Sequence, residues 1–148
     1  MAENENAWKA VDLGGSVVHP WHLDQFGHMN VRWYAPVFDD ASFLFWEKAG
    51  LSMRALTETH GVHTVTLKAE TEFQQELLAG DCTWIKGKIA RIGGKSVTLE
   101  LTLGTYRTGE VHAIYRTVEV FVEARSHRSC AIPGAVREKL DRYRTDDG

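Results

Sequence analysis

Cysteine is scarce in this sequence: Cys82 and Cys130 are the two it has, and they form no C-x-x-C pair. That excludes a disulfide framework and a zinc ribbon. A surplus of basic charge is missing as well. Seventeen Lys and Arg stand against 20 Asp and Glu, a formal net charge of −3, so the charge balance gives no case for nucleic acid or an anionic membrane as partner. A negatively charged ligand would need a local basic cluster instead. No apolar run approaches the roughly 20 residues needed to span a bilayer. The opening MAENENAWKA has neither the basic nor the apolar stretch of a secretory leader. Internal repeats and low-complexity linkers are absent too. The expectation from these absences is a cytoplasmic protein.

What is present is ordinary globular composition. Hydrophobic residues at 43% and charged residues at 25% suit a soluble fold, and 148 residues suit one core rather than two. The expected organisation is a polar tail at 1–12, a single domain at 13–144 and a short tail at 145–148. Residues 13–19 are expected to form a first strand. From 31 to 48, Tyr34, Val37, Phe38, Ala41, Leu44 and Phe45 recur at three- and four-residue intervals, which is helical spacing. Asn30 is placed to cap that helix, Pro36 belongs in its first turn, and Gly50 stops it. Residues 52–61 read as a short polar helix or loop.

The period then switches to two. Strands are expected at 64–73, 82–92, 96–106 and 111–123, with turns at 77–81, Gly93-Gly94 and Thr108-Gly109. Val97, Leu99, Leu101 and Leu103 give the clearest alternation. Pro133 opens a final short helix ending near Tyr143. One long apolar helix followed by consecutive strands predicts an α+β fold, the helix lying on an antiparallel sheet.

Chemistry concentrates in residues 19–34, HPWHLDQFGHMNVRWY. Asp24, Gly27, His28 and Asn30 fall in the loop leading to the long helix. A helix N-terminus offers unpaired N–H groups where an oxyanion can develop. Gly27 permits close approach of backbone and substrate. A carboxylate there can attack a carbonyl or deprotonate water, and an imidazole can orient it.

The run D-x-x-G-H-M-N-x-x-x-Y from Asp24 to Tyr34, with Asp39-Asp40-Ala41 on the helix, resembles the acyl-CoA thioesterases of the 4-hydroxybenzoyl-CoA thioesterase type. The pattern is nearest to their long-chain acyl-CoA and acyl-ACP relatives. Leu78-Ala79-Gly80-Asp81 and Arg91-Ile92-Gly93-Gly94-Lys95-Ser96 are similar to two further elements of that family, so the likeness spans about 17–122. It implies the hotdog fold, hydrolysis of an acyl-CoA to acid and coenzyme A, no cofactor, no metal and a homodimer or homotetramer. By position it implies Asp24 as catalytic carboxylate, with His28 and Asn30 as further catalytic residues. Gly27, Arg91, Lys95, Ser96 and His63 are expected around the substrate, with Arg91 and Lys95 on the phosphates. Val31 stands where the family pattern has a second asparagine, and Pro36 is atypical. Both departures argue against a long-chain acyl group. Glu47 comes too late on the helix to be the glutamate base of the second subfamily.

Each residue also has a plainer role to be weighed. Asp24 can cap its own turn, His28 can be a structural hydrogen-bonding residue, and Asn30 can be only a helix cap. Arg91 and Lys95 can flank a solvated hairpin, and Arg125, Arg128 and Arg137 form a looser basic set. His19, His22, Asp24 and His28 match no established zinc spacing. Most of Trp21, Trp33, Phe43, Phe45 and Trp46 are expected in the core. The rival functions are a non-catalytic hotdog module that binds acyl-CoA, and a hydratase or dehydratase.

Overall fold

Period-two stretches fold as strands and the three- and four-residue spacing as a helix, as side-chain geometry dictates. The computed structural model describes residues 10–145. In chain order it forms β1 (Val11–Asp12), α1 (Tyr34–Lys48), α2 (Met53–His60), β2 (Val62–Phe73), β3 (Thr83–Ile92), β4 (Ser96–Thr105), β5 (Val111–Glu123) and α3 (Gly134–Asp141). Two 3-10 turns, Pro20–His22 and Val31–Trp33, lie between β1 and α1. The sheet runs β1-β3-β4-β5-β2 with every neighbouring pair antiparallel. This is the hotdog arrangement: a curved antiparallel sheet around one long helix. Among the described residues, no helix is long and apolar enough to cross a membrane.

The core is the contact between α1 and the inward face of the sheet. Tyr34, Phe38, Ala41, Phe45 and Trp46 on α1 are buried, and so are Val97, Leu99, Leu101 and Leu103 on β4. Phe38 stacks on Tyr115 with ring centroids 5.0 Å apart, and Trp46 meets Phe121 edge-on at 6.2 Å. Each large apolar side chain so buried contributes about 1.5–3 kcal/mol. Gly87 lets the helix settle, because a Cβ there would stand 2.8 Å from Leu101 and from Leu13 and 3.0 Å from Phe45.

Several expectations are corrected. The first strand is Val11–Asp12, paired with Gly87 and Lys86, rather than 13–19. The strand thus lies inside the segment expected as a tail, of which residues 1–9 fall outside the described part. Beyond it, 13–18 follows β3 with irregular bonds (Leu13 N–H to Ile85 O, Val18 N–H to Asp81 O) and a single bridge at Val17–Cys82. Gly14, at φ +78°, breaks the ladder. At the other end Thr145 is buried and donates its N–H to Ile89 O. Trp21 (67% exposed) and Phe43 (53% exposed) are not core residues, whereas Phe45 and Trp46 are. Pro36 does sit in the first turn of α1.

The turn before β3 is locked by Asp81, which is 4% exposed. Its carboxylate takes Arg107 Nε at 2.7 Å, Arg107 Nη2 at 3.0 Å and the Leu78 N–H at 2.9 Å. The hydrogen bond from Arg107 is the main reason its pKa lies below the ordinary carboxylate value. A depressed folded-state pKa adds stability that is fully present above the unfolded value, about 3.9, and is lost as pH falls through the folded value. Asp81→Asn is therefore expected to cost about 1–3 kcal/mol at pH 7. The gap from wild type should close as the pH drops below 4. Urea melts of both proteins at pH 7 and pH 3 check this.

Candidate active site

The segment after Pro20–His22 doubles back on itself. Leu23 and Met29 form an isolated antiparallel bridge. Asp24 N–H donates to the His28 carbonyl at 2.8 Å, and Gly27 N–H to the Asp24 carbonyl at 3.1 Å. Gly27 lies at φ +82°, where a side chain is strained. The space beside its Cα is open within this chain. Gly27 therefore serves the turn, and the open space beside it leaves room for a substrate to approach.

Asp24 opens that turn. Its Oδ1 accepts from Phe26 N–H at 2.8 Å and His28 N–H at 3.3 Å. The turn-capping role and a chemical role coexist, since among the described residues every side-chain hydrogen bond of Asp24 runs through Oδ1. Oδ2 is left for a substrate or water. His28 Nε2 lies 2.9 Å from Glu76 Oε2, which fixes the imidazole. Asn30 behaves as a cap: its Oδ1 accepts from Arg32 N–H at 3.0 Å, and its carbonyl accepts from Trp33 N–H at 3.0 Å. The element it caps is the Val31–Trp33 turn, which runs into α1, not α1 directly. That consumes two of the first amides. Val31 N–H has no hydrogen-bond partner among the described residues.

Asp24, His28 and Val31 line one open cleft of about 430 Å³ together with Phe26, Tyr34, Phe73 and Glu76. Tyr34 is buried and meets Phe73 edge-on at 4.9 Å. Burial, with the negative charges of Glu76, Asp24 and Asp81 around it, pushes its hydroxyl up to about 12. Tyr34 thus stays protonated at neutral pH and cannot act as a base.

The other expected site residues lie elsewhere. Phe73 pairs with Ala113 at one end of β2, whereas His63 pairs with Val122 at the other. Ten strand residues at ~3.3 Å each put about 30 Å between them. Ser96 pairs with Val120, and Lys95 O accepts from Phe121 N–H, so both stand at the His63 end. Arg91 and Lys95 are exposed there. Arg137 joins them from α3 by donating to the Gly93 carbonyl. His63 faces His127 at 5.3 Å. One chain therefore brings the Asp24 group together and holds it apart from the basic group. Glu47 is exposed near the C-terminal end of α1. His19 stacks on Trp21 at 4.2 Å and His22 packs on Trp33 at 5.1 Å. Among the described residues no group of three His, Cys, Asp or Glu could hold a metal.

Sequence reasoning missed Glu76 and Phe73 as cleft residues. Both arrive because Met29 N–H donates to Leu77 O, which lays the exit of β2 against the motif loop. No signal within a single sequence announces that pairing.

The chain matches the family model of the thioesterase-like superfamily over residues 18–140. It is 23% identical over 124 residues to the long-chain acyl-CoA thioesterase FadM of Escherichia coli K12, covering 84% of this chain and 92% of that protein. Among solved structures it resembles the hypothetical protein SAV2348 of Staphylococcus aureus, solved in complex with CoA. There the TM-score is 0.78 at 23% identity, over 90% of this chain and 84% of that one. The PA5185 protein of Pseudomonas aeruginosa gives a TM-score of 0.75 at 25% identity, over 95% and 96%.

Proposed function

Since the chain belongs to the thioesterase-like superfamily, we propose that it hydrolyses an acyl-CoA to the free acid and coenzyme A in the Asp24 cleft. The observation that supports this is the meeting of Asp24, whose side-chain hydrogen bonds run through Oδ1, and Val31 on the lining of one cleft. A thioester carbonyl whose oxygen rests on Val31 N–H has its developing charge met by that amide and by the positive end of the helix behind it. Asp24 supplies the anionic oxygen, either attacking the carbonyl carbon or taking a proton from water. His28, held by Glu76, orients the carboxylate or the water. Asn30 acts through the cap that shapes the turn. Release of free thiol from acyl-CoA, lost in Asp24→Asn, is the test. The cytoplasmic compartment expected from the sequence suits such a substrate.

The acyl group is compact. The cleft is walled by the rings of Phe26, Tyr34 and Phe73, and Tyr34 is buried. kcat/KM is expected to be higher for acetyl- to hexanoyl-CoA than for palmitoyl-CoA. A steady rise with chain length in steady-state assays contradicts this.

The working unit is a dimer joined through β2. The sheet ends on one side in the two-residue β1 and on the other in the 12-residue β2, whose Val65, Leu67 and Phe73 are 46%, 72% and 50% exposed. A long edge strand with exposed apolar side chains is a liability that folded proteins cover. Antiparallel pairing of two β2 edges would bring the His63 end of one copy to the Phe73 end of the other. The Arg91, Lys95 and Arg137 group of one chain then serves the phosphates of coenzyme A bound at its partner's Asp24 cleft. Ser96 and His63 lie on the way.

A further inference from the structure

The geometry points to an acyl group that carries a fixed positive charge of the quaternary ammonium kind, an inference that rests on the thioesterase reading above. Two features of the cleft lining coincide. Its carboxylates are Asp24 and Glu76, beside His28, and no Lys or Arg of this chain lines it. The remaining wall is ring-rich, with Phe26, Tyr34 and Phe73.

Ring faces attract cations through their quadrupole, and the attraction grows as water is excluded. Carboxylates beside the rings add ordinary Coulomb attraction. Tyr34 is a buried member of the lining, and after burial itself the charges of Glu76 and Asp24 add to the upward shift of its hydroxyl. An anionic acyl group would meet the same field as repulsion and find no Lys or Arg of the same chain to pair with. A trimethylammonium group has no N–H to donate, so rings and a diffuse negative field are what it needs.

The chemistry of the step is unchanged. The acyl carbon gains the oxygen of water, the C–S bond breaks, and the proton passes to the departing thiolate. The ammonium stays intact throughout.

The test is an isosteric pair, trimethylammonioacetyl-CoA and 3,3-dimethylbutanoyl-CoA, which differ by one nitrogen for carbon. Thiol release gives kcat/KM for each, corrected by its uncatalysed hydrolysis rate. The cationic member is expected to be preferred at least about tenfold. Phe73→Leu and Glu76→Gln should each shrink that ratio several-fold, whatever they do to the absolute rates. Succinyl-CoA should be the poorest substrate. Turnover of the neutral isostere with no preference for the cation, or a ratio unmoved by both substitutions, overturns this inference and leaves the thioesterase reading standing. Turnover of neither member, nor of any simple acyl-CoA, overturns that reading and this inference with it.

Discussion

Asp24→Asn is expected to lower kcat for acyl-CoA hydrolysis by at least about 10²-fold while the protein stays folded. The expected size follows from what the substitution removes and what it keeps. An asparagine Oδ1 can still accept the N–H groups of Phe26 and His28, so the turn that Asp24 opens is retained. Val31 N–H is untouched, so the oxyanion is still met. What disappears is the anionic Oδ2, the group that attacks the carbonyl or deprotonates water. His28→Ala is expected to cost less, because the proposed role of the imidazole is to orient and not to react. Thiol release, with circular dichroism and CoA binding on the same samples, separates lost chemistry from lost fold. A folded Asp24→Asn protein that binds CoA and turns over near the wild-type rate contradicts the assignment.

Leu67→Asp is expected to dissociate the proposed dimer, raising its dissociation constant by at least about 100-fold, and to cut kcat/KM along with it. Leu67 is suited to this because it falls in the register shift between Thr66 and Lys68 and has no partner position on β5. Its side chain is 72% exposed, so a single chain loses no packing when it is replaced. In the dimer, the aspartate is an unpaired charge placed in an apolar edge contact. Activity should follow assembly, since in the proposed dimer the basic group at Arg91 and Lys95 reaches an Asp24 cleft across the two copies. Sedimentation equilibrium and thiol release across a concentration series test both parts. A wild-type protein that is monomeric at micromolar concentration and fully active contradicts the shared site.

Much of this architecture was legible in the sequence because it depends on local periods. The alternation from Val97 to Leu103 and the spacing from Tyr34 to Phe45 are each decided by one element facing one core. The cap at Asn30 and the stop at Gly50 are local as well. Features set by distant pairing were not legible. The first strand is shifted because Val11 and Asp12 find Gly87 and Lys86, residues some 75 positions away. Glu76 enters the site because Leu77 accepts from Met29 across the exit of β2. Trp21 and Phe43 look like core residues by composition. Yet Phe43 lies two positions from both Ala41 and Phe45, off the buried stripe of α1. The Asp24 loop itself was legible because a tight turn must be written in consecutive residues.

The central claim is hydrolysis of an acyl-CoA at the Asp24 cleft. It is tested most directly by measuring free thiol released from a panel of acyl-CoAs by the purified full chain, beside Asp24→Asn prepared in the same way. Saturable release by wild type and loss of at least about 10²-fold in the variant is the expected result. Tight binding of acyl-CoA by both proteins with no thiol release from either would contradict it, and would make this fold a binding module in place of an enzyme.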